Sequence, residues 1–146
     1  MYKDIVIESW DDLCNLAKKG EFVPHQEQDV VCMMYHLCLN KIKNSKLLHA
    51  SSSHNYDLIV GELSAEKKKD QILTNNLLAE FKFILRAGRK DRRLKGAKKD
   101  ILKLTSQANP TVEKIFAIYD KASCVKPAEI EELRNFRREV IILFYS

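Results

Sequence analysis

Apolar positions recur along this chain in two rhythms, one of about 3.6 residues and one of two, and the switches between them mark its elements. The clearest period of two is LLAEFKFIL at 77–85. As a strand it puts Leu77, Ala79, Phe81, Phe83 and Leu85 on one face and Leu78, Glu80, Lys82 and Ile84 on the other. Upstream, YKDIVI at 2–7 is short and β-branched and reads as a small strand or a lead-in. Ser9 is an N-cap candidate for a helix to about Lys18, striped by Trp10, Leu13, Leu16 and Ala17 and ended by Gly20. Val30, Val31, Met34, Leu37, Cys38 and Ile42 predict a helix from Gln26 to Ile42. Strands are expected at 46–53 and 56–63 about a His54-Asn55 turn, with the polar stretch 64–71 leading into the strand at 77–85. A helix over roughly 90–106 follows, broken by Asn109-Pro110. The strand EKIFAIYDK at 113–121, a helix opened by Pro127, and a last, buried strand in EVIILFYS complete the chain.

The order predicts an α/β fold, a mixed β-sheet flanked by helices on both faces in the order αβββαβ followed by αβ. The consecutive strands pair as an antiparallel meander, and the later strands, separated by helices, join in parallel. At 146 residues the chain is expected to be one domain, with residues 1–23 as an amino-terminal helical lead-in and 24–146 as the core. No apolar run is long enough to cross a bilayer and no leader pattern opens the chain, so a cytoplasmic protein without membrane contact is expected. The four cysteines, Cys14, Cys32, Cys38 and Cys124, form no CxxC and none has zinc-ligand spacing with histidine. Cys32 and Cys38, within a helical pattern, read as small buried hydrophobes.

Charge changes the picture at one place. Glu80 and Lys82 share a face of an otherwise apolar strand, and charges are rarely buried unless paired or bound to a metal. The plain account is an exposed face with a cross-strand ion pair. The chemical account adds Asp57, on the preceding strand, whose carboxyl can approach Glu80 across the sheet. Two such carboxylates repel unless a proton or cation lies between them, and oxygen-only ligands favour Mg2+ or Mn2+. Lys82 could orient or help deprotonate a metal-bound water. Glu27, opening the long helix, could add a carboxylate, although that position also suits the positive end of the helix dipole. Residues 86–99 then hold eight lysines or arginines and one acid, within a chain of net charge +5. Arg86, Arg89, Lys90, Arg92, Arg93 and Lys95 are the candidates for phosphate contact, and a solubilising helix face is the alternative. There is neither a P-loop nor a GxSxG elbow.

Asp57 in YDLIVGEL, Glu80 and Lys82 in LLAEFKFIL, and Glu27 in HQEQDVVCMMYHL together resemble the PD-(D/E)xK nuclease superfamily, with its restriction-endonuclease-like fold. KKDILKL, KIFAIYDK and the final helix and strand are similar to the later part of that fold. Tyr56 stands where the proline of the motif's name would be. The resemblance implies a Mg2+- or Mn2+-dependent deoxyribonuclease in which Asp57 and Glu80 bind the metal and Lys82 acts with the nucleophilic water. Glu27 would be an accessory ligand or an orienting residue. DNA is the implied partner, with RNA left open, and a homodimer would suit cleavage of both strands. The alternative is a catalytically inactive module on the same fold that binds nucleic acid or protein.

Overall fold

The computed structural model of the chain describes residues 2–50, 56–61, 77–106 and 111–146. The His54-Asn55 turn, the stretch 64–71 and the Asn109-Pro110 break lie outside the described residues.

The first helix, α1, runs Tyr2–Lys18, so the strand or lead-in expected at 2–7 is helix. Val6, Trp10 and Leu13 form one buried stripe at helical spacing, and burial of that stripe overrides the strand preference of Ile5, Val6 and Ile7. Ser9 is not a cap. It is buried mid-helix and its hydroxyl donates to the Ile5 carbonyl at 2.8 Å. Gly20, at φ 72°, closes the helix in the left-handed region, and Glu21 N–H returns to the Leu16 carbonyl at 2.9 Å.

Next comes α2, Glu27–Ile42. Its start is held by Asp29, whose Oδ2 accepts the backbone N–H of His25 at 2.8 Å and of Gln26 at 3.2 Å. That leaves the Glu27 carboxylate for another use. Cys38 is buried as expected, but Cys32 is exposed, because six residues do not return a helix to the same face.

The strands are β1 (Leu48–Ala50), β2 (Leu58–Val60), β3 (Leu77–Ile84), β4 (Glu113–Asp120) and β5 (Val140–Tyr145). They form one mixed sheet in sequential order, antiparallel from β1 to β3 and parallel from β3 to β5. The other helices are α3 (Lys90–Thr105), entered through a 3-10 turn at Ala87–Arg89, and α4 (Pro127–Phe136). The closing strand is half-buried rather than buried, because β5 is an edge: Val140 and Ile142 are covered while Ile141, Leu143 and Tyr145 are only partly so.

Two apolar cores lie on opposite faces of the sheet, and the alternation in β3 divides between them. Leu77, Ala79, Phe81 and Phe83 pack with α1 and α2, where Trp10 stacks on Phe81 with ring centroids 6.2 Å apart. Leu78 and Ile84 pack on the other side with Ala97, Ile101 and Leu104 of α3 and Ile130 and Leu133 of α4. Among the described residues no helix is long and apolar enough to cross a membrane.

Candidate functional site

Among the described residues β2 pairs with β3 at three positions, Leu58 with Ala79, Ile59 with Leu78 and Val60 with Leu77. Among the described residues β2 pairing ends at Ala79, while the other side of β3 stays paired with β4 as far as Ile84. Backbone N–H groups at a buried edge need acceptors. Two carboxylates provide them. Asp57 Oδ2 takes Phe81 N–H at 2.8 Å, and Glu27 Oε2 takes Phe83 N–H at 3.1 Å. Successive outward N–H groups on a strand are roughly 7 Å apart, so the two acids sit one rung from each other along the edge.

Glu80 lies beside this edge, on the face turned toward α3, and is only 4% exposed. Its neighbour on β4 is Phe116, so hydrocarbon walls it on that side. The Asp57 carboxyl is within side-chain hydrogen-bonding reach. Burial first, and then the charge of Asp57, push the Glu80 carboxyl up to about 8 from its ordinary 4.5, against the pull of Lys103. Glu27 is also raised by burial, an effect that the charge of Lys82 and the Phe83 N–H oppose.

Helix α3 answers both charges of the strand. Lys103 Nζ forms an ion pair with Glu80 Oε1, and Asp100 Oδ2 takes Lys82 Nζ at 2.7 Å. The plain account offered a cross-strand pair on an exposed face. The observed pairs instead run from sheet to helix, with the Glu80 side chain 5% and the Lys82 side chain 13% exposed. Burial disfavours the Lys103 ammonium, yet the hydrogen bond and charge of Glu80, with Asp100 and Asp57 beyond, raise its pKa. Lys103 gains this only while Glu80 is charged, and burial together with Asp57 opposes that charge. The upward shift of Glu80 is therefore the direction that geometry carries.

The sequence reading brought Asp57, Glu80 and Lys82 to the fore, and the first two do come together. The ammonium on Glu80, however, belongs to Lys103, and Lys82 turns to Asp100 close over Gly96. In the sequence Asp100 reads as an acid paired among the lysines of its own helix, and Lys103 does not stand out. The available signal was a polar stripe, Arg93, Gly96, Asp100 and Lys103, one position ahead of the buried Ala97, Ile101 and Leu104. Among the described residues no group of three or more His, Cys, Asp or Glu side chains is placed to share one metal ion, so Glu27 stands apart from the Asp57–Glu80 pair.

The basic segment divides. Arg86, Arg89 and Arg93 line a cleft of about 270 Å³ whose other wall is His25 and Glu27, with Arg93 Nη1 3.7 Å from Glu27 Oε2. Arg89, Arg92 and Arg93 enclose a second cleft, of about 230 Å³, with Lys82 and Gly96. Lys90 instead pairs with Glu129 of α4 at 3.1 Å, and Lys95 lies on that same side with Lys98, which pairs with Glu132.

Comparison with protein-family models, with curated proteins and with solved structures gives no match for this chain.

Proposed function

We propose that the chain is a divalent-metal-dependent endonuclease that hydrolyses phosphodiester bonds in DNA. The observation that carries the reading is the Asp57–Glu80 pair, two carboxyls in mutual reach where β2 leaves β3. Groups so close repel unless a proton or a cation lies between them. The donors are all oxygen, and a hard ion such as Mg2+ or Mn2+ binds through one or two carboxylates because it keeps several waters and takes substrate phosphate. Asp57 and Glu80 therefore fit such an ion, with Glu27 one rung away as an orienting residue for Arg93. Bound there, the ion would polarise a phosphoryl oxygen and acidify the attacking water.

The chain's own groups supply the rest. Phe81 N–H fixes the Asp57 carboxylate. Lys82, clamped by Asp100 in the wall of the arginine cleft, offers its ammonium to a phosphate oxygen or to the attacking water. Arg86, Arg89, Arg92 and Arg93 grip the backbone without reading bases. The order of elements from α2 onward, one helix, three strands, then helix, strand, helix, strand, is similar to that of the PD-(D/E)xK nucleases and supports the same reading. A symmetric dimer would give one site per strand of a duplex.

The test is nicking of supercoiled plasmid and cutting of linear duplex with Mg2+ or Mn2+, run beside an RNA substrate. Wild type should cleave only with metal, and Asp57→Asn and Glu80→Gln should each reduce the rate by at least about a hundredfold. Cleavage that survives both substitutions would refute the assignment. A second reading, a binding module without catalysis, is favoured by one observation: Lys103 already occupies Glu80 Oε1. It predicts salt-sensitive nucleic-acid binding with no metal-dependent heat in calorimetry.

A further inference from the structure

Two lysines meet the acids of the site, and they are held differently. Lys82 is 13% exposed and bound to Asp100 at 2.7 Å, between β3 and the flank of α3. Lys103 lies in the last turn of α3 with its side chain 37% exposed and its ammonium 5.3 Å from the Tyr56 ring centre. One is walled in, and the other reaches a buried carboxylate from the surface. A lysine of that kind can withdraw to solvent with no change in the core, and the negative end of the helix dipole favours its charge in the last turn.

We infer that Lys103 is a built-in counter-cation that occupies the Glu80 carboxylate in the metal-free protein and is displaced when a divalent ion binds Asp57 and Glu80. The inference rests on the metal-dependent reading above. It follows from charge balance at one buried place. Ionised together, Glu80 and Asp57 put two negative charges where Glu80 is almost sealed from water, so the metal-free site needs a proton or a positive group there, and Lys103 is the positive group already placed on Glu80. A divalent ion supplies that charge itself, and a second positive group at the same oxygen then repels it. Lys103 thus keeps the empty site in shape and sets a threshold for metal, so that the site loads only above a given metal concentration or when a phosphate adds negative charge.

The experiment is calorimetric titration of the full chain with Mn2+ in the absence of nucleic acid, beside thermal melting. Lys103→Met keeps the apolar stem over Tyr56 and removes the charge, and Lys103→Gln serves as the second variant. Both should bind Mn2+ about tenfold more tightly than wild type. Without metal, at a pH where Glu80 is ionised, both should melt lower than wild type, and in a Glu80→Gln background Lys103→Met should leave the melting temperature unchanged. Equal or weaker Mn2+ binding by both variants, with wild-type binding abolished in Asp57→Asn, would overturn the inference and leave the metal site intact. Absence of Mn2+ binding in wild type and in both variants would overturn both readings.

Discussion

The two faces of β3 share one backbone and have opposite chemistry. Toward α1 and α2 the strand presents Leu77, Ala79, Phe81 and Phe83, which pack into a core of aliphatic, aromatic and sulfur-bearing side chains. Toward α3 it presents Leu78, Glu80, Lys82 and Ile84, where the apolar contacts at the two ends frame a pair of charges answered by Lys103 and Asp100. The first face needs only volume and shape to be stable. The second could have been built the same way, since buried ion pairs replaced by hydrocarbon of similar volume are often neutral or stabilising. On that ground the fold is expected to stand without the charges on that face. Their position beside Asp57, Glu27 and the arginine clefts is what the proposed hydrolysis of a polyanion draws on.

The sharpest way to break the comparison is to delete mass from one face and charge from the other. Phe81→Ala removes a fully buried ring stacked on Trp10 and should cost about 3–5 kcal/mol in chemical denaturation. The double change Glu80→Leu with Lys103→Met should cost little or add stability, within about 1–4 kcal/mol on the favourable side, while abolishing metal-dependent cleavage. A loss from the double change as large as that from Phe81→Ala would mean the charges are structural, and the argument from the two faces would fail.

The pH dependence of stability gives a smaller effect with a definite sign. Glu80 moves from 4.5 to about 8 on folding, raised by burial and by Asp57, so the folded chain holds the extra proton in that window. The contribution is fully present below 4.5 and is lost as pH rises toward 8. Glu27, also raised by burial, acts in the same sense. Asp29 and Glu129, held low by backbone N–H groups, act in the opposite sense and lose stability as pH falls. Without metal, wild-type stability measured by denaturant should therefore decline across the neutral range. Glu80→Gln should flatten most of that decline and leave the acid limb in place.

Much of this was legible because a strand's period of two assigns faces without reference to anything distant. Leu77, Ala79, Phe81 and Phe83 fall on one side of β3, and Glu80 and Lys82 on the other, as LLAEFKFIL implies. The meander followed by parallel crossovers was readable from the order of elements, since parallel neighbours need a helix between them. The start of α1 was not, because YKDIVI has the local preference of a strand, and it is helical because Val6 is buried in one stripe with Trp10 and Leu13 in the core that α2 and β3 share. The partners of Glu80 and Lys82 were hidden for a related reason. Helical spacing shows that Asp100 and Lys103 share a stripe, but not how α3 is turned against β3. A third gap was the edge of β3 past Ala79, which depends on where, among the described residues, β2 stops pairing and is set by geometry rather than by residue type.

The smallest effects test the division within the basic segment, where residues close in sequence have different partners. Arg89 and Arg92 border the cleft with Lys82, and among the described residues neither has an ion-pair partner, whereas Lys90 and Lys98 are held by Glu129 and Glu132 of α4. Arg89→Ala and Arg92→Ala should leave stability within about 0.5 kcal/mol, since both side chains are exposed. Each should weaken duplex binding alike across sequences and make the slope of log affinity against log salt shallower by about one. Lys90→Ala and Lys98→Ala should do the reverse, lowering the melting temperature slightly and leaving the salt slope unchanged. Salt titrations of the four variants against one duplex read the difference directly. Equal slopes in all four would show that the whole segment acts as a diffuse cloud of charge, and the cleft beside Lys82 would lose its claim to hold the backbone. A shallower slope only for the arginines would fix the path of the polyanion along the corner between the 3-10 turn at Ala87–Arg89 and α3, past the edge of β3 where Asp57 and Glu80 meet.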